Sequence, residues 1–326
     1  MTSRRFPDFY ILGAPKAGTS SLAQYLDDHP GIFVSKPKEP RYFAEDFADR
    51  PITDADAYLD LFEEAGDDVI LGEGTTDYLV SEVATDRILA VRPDARFIVM
   101  LRNPIQMVPA MHAQERKNGY ETIADPANAW AMISERKAGR GIPVLCNEPK
   151  RLFYDDRCRL GEQMQRLMGK VAPDQLQIIF MEDFAAETER VYREAQAFIG
   201  ISSYEPRDFP IVNERHHIKH PAALQLWKFG MTAKEKLGLK TNFGLLSKVQ
   251  AFGLSSKPSK PSVGSGPGAG SGFGAGNDGR LAFQDTLRDA FNADIELLAE
   301  LTRRDLSGWL QLDEPSDEKT VAAASR

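Results

Sequence analysis

Cysteine is nearly absent from this chain of 326 residues: Cys146 and Cys158 stand alone, with no CxxC pair. A disulfide framework and a cysteine-based zinc site are therefore both excluded as organising devices. Histidine is almost as scarce, at five, and no cluster has metal-ligand spacing. Positive charge is in deficit, with Lys+Arg 40 against Asp+Glu 48 and a net charge of −8, which argues against a nucleic-acid coat. Long apolar runs are missing too. The first of them, Phe9 to Ala14, is cut off by Lys16 and is too short for a signal-peptide core or a membrane span. With no anchor elsewhere, the expectation is a soluble cytoplasmic protein.

What the chain does have is an alternation of short β-rich runs with helical patterns. Phe9–Gly13, Ile32–Ser35, Val69–Gly72, Phe97–Leu101 and Leu176–Met181 read as strands, apolar on both faces as in a buried parallel sheet. Helical periodicity covers Ser20–Leu26, Asp86–Val91, Pro104–Asn118, Asn128–Ala138, Arg157–Met168 and Glu187–Ile199. Strands alternating with helices predict an α/β, P-loop-like three-layer fold with a central parallel sheet flanked by helices. Residues 1–256 form the expected body. Residues 257–280 are a flexible Gly-rich loop, with glycine at every second position from Gly264 to Gly276. Leu287, Phe291, Ile295, Leu298 and Leu301 then mark one apolar face of a helix, assigned to 281–312, that docks back on the body. Residues 313–326 read as a disordered tail.

The most informative stretch is Gly13-Ala-Pro-Lys-Ala-Gly-Thr-Ser20, where the first strand gives way to the first helix. Glycines let a ligand approach the backbone, amides at a helix N-terminus point toward it, Thr19 and Ser20 add hydroxyls, and Lys16 adds charge. The plainer alternative makes Thr19 or Ser20 a helix cap, which would need neither the lysine nor both glycines. A nucleotide-hydrolysing P-loop reads G-x-x-x-x-G-K-[ST] and is followed by a strand ending in a carboxylate for magnesium. Here Lys16 precedes Gly18, and the strand Phe97–Leu101 runs into Arg102-Asn103-Pro104. A cation at that position suggests a ligand carrying a second anion.

These residues resemble the PAPS-dependent sulfotransferase family, in particular its bacterial and carbohydrate-type (heparan sulfate-like) members. PAPS is 3′-phosphoadenosine-5′-phosphosulfate, and PAP is its desulfated product. The family's 5′-phosphosulfate loop, G-x-P-K-x-G-T-[ST]-[ST]-L, is matched by Gly13 through Leu22. Its 3′-phosphate motif, R-[DN]-P-x-x-[RM]-x-x-S-x-[YH], is matched by Arg102, Asn103, Pro104, Met107 and His112, and departs at Ala110, where the family has a serine. Lys38-Glu-Pro-Arg-Tyr-Phe43, Gly72-Glu-Gly-Thr-Thr-Asp-Tyr78 and Asp305-Leu-Ser-Gly-Trp309 extend the similarity to about Phe9–Leu310.

The resemblance implies a metal-independent enzyme that moves a sulfuryl group from PAPS to a hydroxyl or amine, with a carbohydrate or glycoconjugate as acceptor. It places Lys16, Ala17, Gly18, Thr19, Ser20 and Arg102 on the donor and makes Glu39 the general base beside Lys16. Glu39 has a plainer alternative, a surface ion pair with Lys36, Lys38 or Arg41, and a rival in His112. Acceptor contacts are expected from Asp77-Tyr78, the Met111–Trp130 region and Tyr154, although Trp130 and Tyr154 equally suit a core. His216, His217 and His220 read as a basic surface. Two other classes stay open: a small-molecule kinase of related architecture, and an inactive nucleotide-binding module, to which Ala110 lends weight.

Overall fold

Four consecutive side chains with no solvent exposure, Phe9–Leu12, form the central strand β1 of a computed structural model that describes residues 4–205, 209, 217–218, 255–256 and 276–311. Such a run suits a strand covered on both faces. Around it lie β2 (Ile32–Val34), β3 (Ile70–Thr75), β4 (Arg96–Leu101) and β5 (Leu176–Phe180), in the order β2-β3-β1-β4-β5. Every pairing is parallel, with Leu12 opposite Thr75 on one side and Val99 on the other. The five expected strands are thus all present, and the α/β fold with its parallel sheet is as the pattern predicts.

Among the described residues the α-helices, in chain order, are α1 (Thr19–Asp27), α2 (Ala55–Leu59), α3 (Asp77–Val80), α4 (Ala84–Val91), α5 (Pro104–Asn118), α6 (Pro126–Ala131), α7 (Ile133–Lys137), α8 (Tyr154–Cys158), α9 (Leu160–Met168), α10 (Met181–Ala186), α11 (Thr188–Ile199) and α12 (Gly276–Thr302). They cover both faces of the sheet. On one face Tyr10 stacks on Phe97 and meets Tyr78 of α3. On the other, Met100 faces Gly18 at the start of α1 together with Phe184 of α10, and Tyr25 of α1 packs edge-on to Tyr192 of α11. A two-residue antiparallel pair joins His217–Ile218 to Ser255–Ser256.

Two helical expectations are corrected. The single helix over 128–138 is two, α6 and α7, broken at Met132, and the helix over 157–168 is broken at Arg159, its first two residues ending α8 and the rest forming α9. Periodicity carries across each break, because both pieces still bury one face. The C-terminal helix begins at Gly276, inside the stretch assigned to the Gly-rich loop, and ends at Thr302, before a short 3₁₀ turn at Ser307–Leu310. Leu287, Phe291, Ile295 and Leu298 are buried as expected. The docking also has a polar part that periodicity does not show. Buried Asp294 accepts from the amides of Gly161 and Glu162, both at 2.9 Å, and so caps the N-terminus of α9 from another helix. The Gly-rich stretch through Ala275, His216, His220 and the tail 313–326 lie outside the described residues.

Candidate active site

The parallel sheet delivers the C-terminal ends of β1, β3 and β4 to one edge, and each continues into one of the segments singled out above. In open α/β sheets this edge is where ligands bind. After β1 the backbone turns through Lys16, at φ 65°, and Gly18, at φ 90°. Gly18 is the N-cap residue of α1 in left-handed geometry, and a Cβ there would sit 3.3 Å from the Phe184 ring. No side chain caps α1; the Ser21 amide closes on the Gly18 carbonyl at 3.0 Å, and the amides of Thr19 and Ser20 stand ahead of the helix's own ladder. Thr19 and Ser20 stand inside the helix, which removes the reading of either as a cap. Lys16 is exposed, and its carbonyl accepts from Arg102 Nη1 at 2.9 Å. That bond ties the end of β4 to the loop after β1. Loop and arginine, 86 residues apart in sequence, form one corner.

Arg102 is followed by a helix start built from Asn103 and Pro104. Asn103 Oδ1 accepts from the Ile105 amide at 2.9 Å, and Pro104 occupies the first turn, where a missing N–H costs nothing. Ala110 is half-buried one and a half turns further along α5.

The Lys38–Phe43 segment enters the site from β2. Glu39 takes φ 63° and Arg41 φ 54°, conformations that non-glycine residues adopt at a cost. Several contacts hold them there. The Glu39 amide donates to the Gly74 carbonyl at 3.0 Å, pinning the turn to β3. Glu39 Oε1 accepts from Thr76 Oγ1 at 3.2 Å, and Oε2 from Arg41 Nη2 at 3.2 Å. Arg41 reaches on to Asp77 at 2.8 Å and to Asp49 at 3.2 Å. Of the three cations that could have paired with Glu39, Lys38 and Arg41 do, whereas Lys36 pairs with Asp27 at 2.7 Å.

Lys38 is the residue that sequence reasoning passed over. Its Nζ donates to Thr19 Oγ1 at 3.1 Å and to Ser20 Oγ at 3.2 Å, and lies 3.5 Å from Glu39 Oε1. The ammonium thus stands between the hydroxyls of the phosphate loop and the carboxylate of Glu39. Room for it comes from Gly74, where a Cβ would lie 3.1 Å from Lys38 Cε. The sequence signal was a lysine directly before the expected base; what it lacked was the direction of the side chain.

The other candidates are placed elsewhere. His112 is 4% exposed, faces the Ile123 carbonyl at 3.0 Å and packs edge-on to Tyr154; burial pushes its imidazole below the ordinary range. Tyr154 is fully buried and donates to Glu121 Oε2 at 3.1 Å, beside the buried Arg136–Glu121 pair. Trp130 packs against Phe283 and Phe291 of α12. Tyr78 is buried and donates to Glu73. Asp77 is buried as well; burial alone would raise its carboxyl, but Arg157 and Arg41, each at 2.8 Å, hold it below the usual range. These residues, expected at the acceptor, are core and scaffold, which for Trp130 and Tyr154 is the alternative the sequence already offered. Next to Gly74 on β3 lies a second carboxylate, Glu73, which accepts from Tyr58, Tyr78 and Thr75 hydroxyls. Burial pushes it up to about 7, against those three bonds and with a small push from Glu39.

No family model matches the chain. In sequence it is similar to heparan sulfate glucosamine 3-O-sulfotransferase 6 of Mus musculus, 34% identical over 111 residues, which are 34% of this chain and 31% of that protein. It is also similar to the bifunctional heparan sulfate N-deacetylase/N-sulfotransferase 2 of Homo sapiens, 26% identical over 212 residues, covering 62% of this chain and 23% of the relative. The chain thus spans less than a third of the length of these relatives. In structure it matches a crystallised sulfotransferase from Alicyclobacillus acidocaldarius with a TM-score of 0.66 and 23% identity, over 94% of this chain and 99% of the other. Over part of its length the chain is thus similar in sequence to heparan sulfate sulfotransferases, and it is built on the fold of a solved sulfotransferase.

Proposed function

We propose that this chain is a sulfotransferase that carries a sulfuryl group from PAPS to a hydroxyl or amine of a carbohydrate or glycoconjugate. The observation that carries the reading is the corner formed by the uncapped start of α1, Lys16, Lys38 and Arg102, with Glu39 bonded to its edge. Two cationic elements joined by the bond from the Arg102 side chain to the Lys16 carbonyl suit a donor with phosphates at its 5′ and 3′ ends. The two sequence relatives described above are heparan sulfate enzymes, which supports the choice of carbohydrate as acceptor.

PAPS, when bound, supplies the sulfuryl group: its sulfur bonds to the acceptor oxygen or nitrogen as the bond to the bridging oxygen of the 5′-phosphate breaks, and that electron pair leaves with PAP. Lys16, Thr19, Ser20, the leading amides of α1 and the backbone of Ala17 and Gly18 just before it hold the 5′ end and stabilise charge growing on the leaving phosphate. Arg102 holds the 3′-phosphate. Glu39 takes the acceptor's proton, and Thr76 and Arg41 fix the direction of its carboxylate. In-line geometry supplies much of the rate, since effective molarities reach roughly 10⁵–10⁸ M. The kinase alternative is disfavoured by Arg102, which stands where a magnesium-dependent enzyme has a carboxylate. A cytoplasmic location belongs to the same proposal.

Calorimetric titration with PAP and with ATP, each with and without magnesium, tests the donor half of the reading. PAP is expected to bind in the presence of chelator. Binding that requires magnesium, or that prefers ATP, would overturn it. Transfer of labelled sulfate from PAPS across a panel of glycans, lipid-linked sugars and phenols tests the acceptor half.

A further inference from the structure

The Asp305–Trp309 stretch has no part in the mechanism above, yet it ends against the residue next to Arg102. Asn103, 6% exposed, uses both ends of its amide: Oδ1 caps α5, and Nδ2 donates to the Trp309 carbonyl at 3.0 Å. Trp309 is itself held at three points. Its Nε1 donates to Glu182 Oε1 at 3.0 Å, its ring meets Phe180 at 5.9 Å, and its amide closes on the Leu306 carbonyl at 2.9 Å. Just upstream, Arg304 pairs with Asp183 through both guanidinium nitrogens and lies 4.0 Å over the Phe180 ring. Phe180 is the last residue of β5 and is registered opposite Leu101, the last of β4. The chain's C-terminal segment is therefore fastened to the end of one strand and, through a single buried side chain, to the end of its neighbour, from which Arg102 projects.

We infer that residues 304–310 are a latch that positions Arg102 for the donor's 3′-phosphate, with Asn103 as its catch. The inference rests on the sulfotransferase reading above. In this chain the bond to the Trp309 carbonyl needs a donor, which an amide supplies and a carboxylate does not. Aspartate at 103 would cap α5 equally well but would set a carboxylate oxygen against the Trp309 carbonyl, where two acceptors repel and neither is satisfied. A latch that only stabilises the fold would weaken every ligand alike. A latch that aims Arg102 affects ligands bearing a 3′-phosphate and spares those without one.

The experiment compares PAP with adenosine 5′-phosphate, which lacks the 3′-phosphate, on the full chain by calorimetry. Wild type is expected to prefer PAP. Asn103→Asp is expected to lose about tenfold in PAP affinity, while adenosine 5′-phosphate changes by less than about twofold, a tenfold change corresponding to roughly 1.4 kcal/mol. Trp309→Phe, which keeps the ring on Phe180 and loses the Glu182 bond, is expected to shift the preference in the same direction by less. It also serves if Asn103→Asp does not fold. An unchanged preference in both variants, or an equal loss on both ligands, overturns the latch. A wild type that does not prefer PAP overturns instead the donor assignment on which the latch rests.

Discussion

Lys38 Nζ lies 3.1 Å from the hydroxyl of Thr19, so that the turn after β2 reaches across to the first residue of α1. The same ammonium touches Ser20 Oγ and approaches Glu39. A 5′-phosphate held by Thr19 and Ser20 would come within reach of it, and charge-assisted hydrogen bonds of this kind contribute about 1.5–3 kcal/mol. Lys38→Met is accordingly expected to weaken PAP binding by roughly 10–100-fold, with Lys38→Arg recovering part of the loss. Calorimetry on the two variants checks this. Full affinity in Lys38→Met would show that the ammonium serves Glu39 alone.

Glu39→Gln keeps the size of the side chain and the amide bond to Gly74. It is expected to leave PAP binding nearly intact while cutting acceptor turnover by roughly 10²–10⁴, the usual contribution of a general base. Lys16→Ala, which touches the donor, is expected to lose both affinity and rate. His112→Ala is the control, because its ring is buried against the Ile123 carbonyl and Tyr154. Single-turnover rates decide the matter: a near-normal rate for Glu39→Gln with a lost rate for His112→Ala would transfer the role to the histidine.

What could be read from the sequence follows a physical boundary between local and tertiary signals. The loop after β1 was legible because its chemistry is compressed into eight residues, Gly13 to Ser20, whose spacing dictates a turn into a helix. The strands were legible because apolar residues on both faces leave few alternatives to a buried parallel sheet. Lys38 was not, since its partners lie 18 and 19 residues away, and only the pairing of β2 with β3 and β3 with β1 brings them together. Nor was the fate of Asp77 and Tyr78, or the choice for Tyr154 between acceptor site and core. Each carries a polar group that suits an acceptor site, and each spends it on a buried partner: Arg157, Glu73 and Glu121. Asp294 shows the same limit, because a cap supplied from another helix leaves no trace in the capped one.

At position 110 the α5 helix presents a methyl group where the resemblance implies a hydroxyl on the 3′-phosphate. Ala110 is only half-buried, so a serine adds one oxygen without overpacking the core. Ala110→Ser is expected to tighten PAP binding by up to about 3 kcal/mol, the upper range for a hydrogen bond to a charged group. Adenosine 5′-phosphate should not respond. Unchanged PAP affinity by calorimetry would mean that another group already meets the phosphate there.

Glu73 gives the fold a pH dependence whose sign can be worked out. The carboxyl is fully buried on β3 and receives hydroxyl bonds from Tyr58 at 2.7 Å, Tyr78 at 3.0 Å and Thr75 at 2.5 Å. Burial outweighs these bonds and raises its pKa from an ordinary 4.5 to about 7. The folded chain therefore holds this proton more tightly than the unfolded chain does. The stabilisation is complete below about 4.5 and is lost as pH rises toward about 7, above which both states are ionised and the slope vanishes. A shift of this size corresponds to on the order of 3 kcal/mol. Glu73→Gln cannot titrate, so its stability relative to wild type is expected to improve by about that amount between pH 5 and 8. Urea unfolding of both proteins at unit steps of pH measures the difference directly, and the contributions of all other titrating groups cancel. Parallel profiles would show that Glu73 titrates in the folded protein as it does in the unfolded chain, and that the three hydroxyls fully offset its burial.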